Sequence, residues 1–331
     1  KLISIAMASA LAFGLVACGS SNTSSSSETA QTTDSATTAK YNVGVIQLVQ
    51  HVALDAATEG FEAALKEKLG DEVSITVENA AGDSPTCSTI ANQFTSEGVD
   101  LIMANATPAL QAAQAATDSI PIVATSITDY GTALSIEDWT GATGINVTGT
   151  ADLAPLDGQA QMLNELFPDV KNVGIIYCSA EPNSVYQASK ITEYLEDYGY
   201  TVTEYTFSDS NDVASVTQSA CDGSDVLYVP TDNTAASCAE TINNVALSAK
   251  TPIVAGEEGI CKGCGIATLS ISYYDIGYAA GLMAYDILVN GADPSTMDIQ
   301  YATDFTKEYN PTIASELGID IPDDYVAIDM E

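Results

Sequence analysis

Between Tyr41 and Pro322 the apolar residues fall into two alternating kinds of run. Short β-rich blocks, beginning with Val43-Gly44-Val45-Ile46, are followed by longer segments whose apolar positions return at helical spacing. In Leu54 to Leu69 those positions are Leu54, Ala57, Phe61, Ala64 and Leu65. The pattern predicts a strand over Val73 to Val77, a helix from Ser84-Pro85 to about Glu97, and a strand over Leu101 to Ala104. A helix opening at Pro108 and running to about Ala116 follows, then a strand over Ile122 to Ala124. Proline suits the first helical turn because the N–H it lacks has no partner there.

The layout then restarts. Pro155 to Leu166, Ser184 to Tyr198, Val213 to Ala220 and Ala235 to Ala249 read as helices. Val173 to Tyr177, Val202 to Phe207, Val226 to Val229 and Ile253 to Ala255 read as the strands between them. Alternation of this kind predicts an α/β fold with parallel sheets covered on both faces. Its repetition predicts two similar doubly wound lobes. The breaker-rich stretch Gly141 to Pro155 would carry a hinge crossing, Tyr274 to Val289 would pack back on the first lobe, and Asp304 to Pro322 would close the second. The expected division is residues 41–150 plus about 274–300 for one lobe, and 151–273 plus about 301–331 for the other. In open parallel sheets ligands bind beyond the carboxyl ends of the strands, so two facing sheets would enclose a cleft lined by strand-end loops.

The segment before Tyr41 has a different character. Leu2 to Ala17 is a run of small and aliphatic residues behind Lys1, ending in Leu15-Val16-Ala17-Cys18-Gly19. Its length suits a secretory signal, residues 1–17, better than a membrane span. Residues 18–40 are dominated by Ser, Thr and Ala with no aliphatic pattern, as expected of a disordered tether.

Composition narrows the function. The formal charge is −36, and all nine basic residues other than His are lysines; the chain has no arginine. Binding to nucleic acid or to anionic head groups needs positive surface that is not available. A guanidinium clamp on a ligand carboxylate is excluded. With a single histidine, His51, no two-His metal motif exists, and no nucleophile elbow, phosphate loop or dinucleotide fingerprint is present. An enzyme is therefore not expected, nor a metal or cofactor. Apart from Cys18, six cysteines remain: Cys87, Cys178, Cys221, Cys238, Cys261 and Cys264. Six allow 15 pairings that sequence cannot choose among. The lone C-x-x-C, Cys261 to Cys264, lacks a second ligand pair for zinc and reads as a local disulfide or two free thiols.

The tetrad Leu15-Val16-Ala17-Cys18 resembles the bacterial lipobox, which implies cleavage before Cys18 and lipid attachment to its thiol. The predicted strand-end segments resemble, in order, the aromatic amino-acid (tryptophan-type) branch of ABC transporter substrate-binding proteins. They are Gln47 to Asp55, Asn105-Ala106-Thr107-Pro108-Ala109, Thr125 to Asp129, Glu181-Pro182-Asn183-Ser184, Tyr228 to Thr234, Ala255-Gly256-Glu257, and Tyr273 to Gly277. The family often has Glu where Gln50 stands, Pro where Val52 stands and Asn where Cys178 stands. The resemblance implies the type I periplasmic-binding-protein fold. It also implies a small-molecule ligand, such as an aromatic amino acid, an ABC permease as partner, an extracytoplasmic place held to the membrane through lipid on Cys18, and a monomer.

Within that frame, the helix starts at Thr107-Pro108 and Asn183-Ser184 would offer N–H groups to a ligand carboxylate. Asp232, Glu257 and Asp129 are candidates for an ammonium group. His51, Leu54, Tyr273 and Tyr274 could form apolar walls, and Gln47, Thr128 and Asn233 could orient the ligand. Asp232-Asn233 and Asn183-Ser184 are equally suited to capping helices, and Tyr273-Tyr274 to packing between lobes. A neutral sugar or nucleoside, and a ligand-sensing receptor subunit, stand as alternatives.

Overall fold

The computed structural model describes residues 39–330 except Asp138. The signal, Cys18 and nearly all of the tether lie outside the described residues.

The first lobe begins with β1 (Tyr41–Gln47), α1 (Val52–Leu69), β2 (Val73–Asn79) and α2 (Ser84–Glu97), then β3 (Leu101–Asn105), α3 (Thr107–Ala116) and β4 (Ile122–Ile127). A short α4 (Tyr130–Leu134) and β5 (Val147–Ala151) follow. The second lobe contains α5 (Leu156–Leu166), β6 (Asn172–Cys178), α6 (Pro182–Asp197), β7 (Thr201–Phe207), α7 (Val213–Gly223) and β8 (Val226–Val229). It continues with α8 (Asn233–Ser237), α9 (Ala239–Ala249), β9 (Ile253–Ala255), α10 (Glu258–Cys264) and β10 (Ala267–Ser270). Then α11 (Tyr273–Asn290) returns to pack along α1, and β11 (Gln300–Tyr301) adds to β5. Finally β12 (Thr306–Tyr309), α12 (Pro311–Leu317) and β13 (Val326–Ala327) lie with the second sheet.

The first sheet, in the order β11-β5-β4-β3-β1-β2, is parallel throughout. The second, β13-β12-β10-β9-β8-β6-β7, is parallel except where β12 runs against β10. The central strands β3, β4 and β8 are buried along their whole length, which is why they read as unbroken apolar runs. The chain passes between lobes three times: from β5 to α5, from β10 to α11 and from β11 to β12.

Some local expectations change. The helix expected over Ala235 to Ala249 is two helices meeting at Cys238. The strand β5 lies inside the stretch that sequence marked as breaker-rich; at Gly149 a Cβ would stand 1.9 Å from the Ala124 carbonyl oxygen, so only glycine permits the close approach of β5 to β4. The C-x-x-C segment forms the end of α10, and all six cysteines among the described residues are free thiols.

Candidate functional site

The two sheets point their carboxyl ends at one another, and the lobes touch there. His51 Nε2 lies 3.3 Å from Asn233 Oδ1, and Gln187 Nε2 donates to Thr128 Oγ1 at 3.3 Å. Each pair takes one residue from either lobe, so the structure is a closed form.

The first-lobe face is built by two strained strand ends. Ala106, before α3, has φ 88° and ψ 157°, a region that essentially only glycine occupies. Ser126 has φ 57° and sits where the register between β4 and β5 shifts. Such geometry costs on the order of 1–3 kcal/mol per residue and concentrates at ligand sites. Here it swings the chain so that Thr107 and Pro108 open α3 as its first two residues. Neither α1, α3 nor α6 has a side chain capping its N-terminus, whereas Asp83, Asp129, Asp232, Glu257, Ser272 and Asn310 cap other helices. Ser184 N donates to the Glu181 carbonyl oxygen and Pro108 has no N–H, so the backbone N–H groups of Thr107 in α3 and Asn183 in α6 are the ones open to an anionic group.

Several side chains singled out in the sequence are already engaged. Asp232 accepts from Ala235 N at 2.7 Å and Cys178 N at 2.6 Å, which makes it the cap of α8 and a strap to β6. Glu257 accepts from Gly259 N at 2.6 Å and from Ile260 N, capping α10. Asp129 caps α4 through Thr132 N at 2.6 Å. Gln47 donates to Asp55 and accepts from Thr58 Oγ1 at 2.7 Å, holding β1 to α1. Leu54 belongs to the first-lobe core. Tyr274 is 39% exposed and stacks on Tyr278. Tyr273 instead turns inward, is buried, and donates to Asp152 Oδ2 at 3.0 Å.

Sequence reasoning missed Asp152, Gln187, Glu181, Asn105 and Ser126 as site residues. Asp152 stands at the first crossing between lobes and is 4% exposed. It receives Tyr273 OH and Thr128 Oγ1, the latter at 3.2 Å. Thr128 accepts from Gln187, which also exchanges bonds with the Thr231 backbone at 3.0 and 3.1 Å. One hydrogen-bonded chain thus joins both lobes and two crossings. Glu181, 5% exposed, accepts from the N–H and side-chain groups of Asn233 and Thr234. Nothing in the spacing around Asp152 marks it, because its significance comes from Tyr273, 121 residues away in sequence.

Burial dominates the electrostatics. It pushes the Asp152 carboxyl up to about 6, against the opposing bonds from Tyr273 and Thr128. Burial, then repulsion from Glu181, pushes Asp232 up to about 7. Burial pushes Glu257 up to about 7, with Glu258 and Asp152 adding to it. Burial lowers His51 and keeps its ring neutral near pH 7.

Four buried polar atoms at this interface have no partner: His51 Nδ1, Asn105 Oδ1, Ser126 Oγ and Asn183 Oδ1. An unpaired buried polar group costs on the order of 1–3 kcal/mol, so each of these four atoms gains from acquiring a partner; Trp139, Ser224, Thr268, Glu308 and Tyr325 carry further unpartnered atoms elsewhere. No group of His, Cys, Asp or Glu able to hold a metal ion occurs among the described residues.

The family model described as ABC transporter substrate binding protein matches residues 42–329. A tyrosine-binding protein from Clostridioides difficile is 37% identical over 295 residues, covering 87% of this chain and 84% of the relative. Among solved structures, an ABC domain from Streptococcus pneumonia in complex with L-Trp superposes with a TM-score of 0.82 at 33% identity, over 86% of this chain and 97% of that one. The ligand-free, open structure of a substrate-binding protein with adhesive properties from Clostridium difficile gives a TM-score of 0.67 at 35% identity, over 88% and 100%.

Proposed function

Since the chain belongs to the ABC transporter substrate-binding protein family, we propose that it captures an aromatic amino acid between its two lobes and presents it to a membrane permease. The four unpartnered polar atoms in the closed cleft are the observation that carries this reading. A free α-amino acid offers a donor group and an acceptor group on one carbon, and the cleft offers both complements. The backbone N–H groups at the uncapped starts of α3 and α6, Thr107 and Asn183, receive the carboxylate. Asp152, Asn105 Oδ1 and Asn183 Oδ1 receive the ammonium. Ser126 and Asn233 orient it, with His51, Pro108 and Tyr273 as the flat and apolar walls. The tyrosine-binding relative and the neighbour solved with L-Trp support an aromatic side chain. The better match in shape to that complex than to the open, ligand-free relative supports closure by rotation about the three crossings.

In the same reading residues 1–17 are a signal, and Cys18 carries lipid at the end of a tether outside the cytoplasm. Two or more acyl chains would anchor it, at about 0.8 kcal/mol per buried CH₂.

Mass spectrometry of the molecule released when purified protein is denatured tests the proposal, with a thermal-shift panel of amino acids and sugars beside it. Release of tyrosine, tryptophan or phenylalanine, with matching stabilisation, is expected. A sugar released instead, and no shift with any aromatic amino acid, would remove it.

A further inference from the structure

The cleft is unbalanced in one direction. Asp152, Glu181, Asp232 and Glu257 are each no more than 5% exposed. The charged groups acting on Asp232 and Glu257 are other carboxylates. The ion pairs of Lys40, Lys66, Lys68, Lys190 and Lys307 all lie elsewhere, with surface carboxylates. To this cluster are added two amide oxygens that need donors, one from each lobe. Asn105 Nδ2 points at the Leu54 carbonyl oxygen at 2.8 Å and Asn183 Nδ2 at the Thr231 carbonyl oxygen at 3.2 Å. Those partners only accept, so each amide's orientation is fixed and its oxygen is the free end. Both oxygens are unpartnered, in side chains at least nine-tenths buried, and Asn183 also donates to Glu181 within the cluster.

Asp232, Glu257 and Glu181 are hydrogen-bonded by helix-start N–H groups and by Asn233 and Thr234, yet no cation is among the charged groups acting on Asp232 or Glu257. With two amide oxygens also free, the site favours a donor that carries positive charge, while the anion's complement is only partial dipoles at helix ends. A buried carboxylate left without a counter-charge is far costlier than a helix N-terminus left to water. We infer that the cleft recognises the ammonium group first and that it also binds aromatic monoamines, the arylethylamines that correspond to aromatic amino acids without their carboxylate. This rests on the reading of the same cleft as an aromatic amino-acid site. Losing the carboxylate forfeits charge-assisted bonds to backbone N–H groups and weakens binding about 10- to 100-fold. Losing the ammonium strands buried acceptors and carboxylates and weakens it more than about 1,000-fold.

Calorimetry on the full, ligand-free chain separates the contributions. The probes are L-tyrosine and L-tryptophan, the amines tyramine and tryptamine, and the deaminated acids 3-(4-hydroxyphenyl)propionate and 3-indolepropionate. The expected order is amino acid, then amine, then acid, with the acids below detection. Asp152→Asn should weaken amino acid and amine by a similar factor of about ten or more; if that variant does not fold, the six probes on the unaltered protein decide alone. A deaminated acid that binds as tightly as the amine overturns the inference. So does an amine that fails where the amino acid binds, and that result leaves the amino-acid reading intact. Binding of an amine without either amino acid upholds the inference and removes that reading. No binding by any probe removes both.

Discussion

Replacing Asp152 with Asn should close the empty protein at neutral pH while weakening its hold on ligand. In the closed form the carboxyl is 4% exposed and keeps its proton up to about pH 6. Opening separates Gln187 from Thr128, admits water and returns the group toward 3.8, its value in water. Between those two values closing takes up a proton, so raising the pH through that window favours the open form, and above about 6 the bias is complete. Two powers of ten in proton affinity correspond to roughly 3 kcal/mol, so Asp152 alone can favour opening about 100-fold at pH 8. Asn at this position has no charge to bury. It keeps an oxygen for the Tyr273 hydroxyl, and its amide can donate to Thr128 Oγ1. The assay is small-angle scattering on ligand-free parent and Asp152→Asn at pH 8 and at pH 4, the latter as a dilution series extrapolated to zero concentration because it lies near the isoelectric point of about 4.1. The variant should show the smaller radius of gyration at pH 8, and the two should agree at pH 4. A variant as open as the parent at pH 8, or more open, would refute the claim that desolvation of this carboxylate opposes closure.

Other positions give independent tests. Gly277→Ala places a Cβ 2.0 Å from the Ala57 carbonyl oxygen where α11 meets α1, and should lower stability to urea by about 1–3 kcal/mol. Tyr130→Phe removes a buried hydroxyl that lies 3.1 Å from the carbonyl oxygens of both Ala124 and Thr150, and should cost about 1–3 kcal/mol in the same titration. Thiol labelling of native protein should reach the half-buried Cys221 and Cys238 before Cys87, whose thiol burial pushes up to about 11, and before Cys261 and Cys264; a Cys261–Cys264 disulfide in a non-reducing digest would contradict the free thiols.

Much of the fold was legible because its signals are local. A strand buried on both faces, such as Leu101–Asn105, has to be apolar along its length, and a helix such as Val52–Leu69 has to repeat its apolar residues every third or fourth position. The site was legible only by neighbourhood. Thr107 was singled out because Pro108 announces a helix start next to a strand end, and Asn183 because a helix was expected from Ser184; the structure starts those helices at Thr107 and at Pro182. Their roles were less clear, since the same Asp or Glu can cap a helix or meet a ligand. At Asp232 and Glu257 the backbone N–H groups of the next helix take the carboxylate. Leu54 and Tyr274 follow the helical period of their own segments, yet one faces the core and the other solvent.

The sequence by itself determined the alternation of strands and helices, the repeat of that layout, and the absence of arginine, because each is a property of neighbouring residues or of composition. The tertiary structure alone decided that Asp152 at one crossing meets Tyr273 from another and Thr128 from the first lobe. It also decided that Asn105 and Asn183 leave oxygens unpaired in the same cleft. Hydrogen bonding and desolvation depend on which groups share a few ångströms of space, and chain separation does not encode that distance.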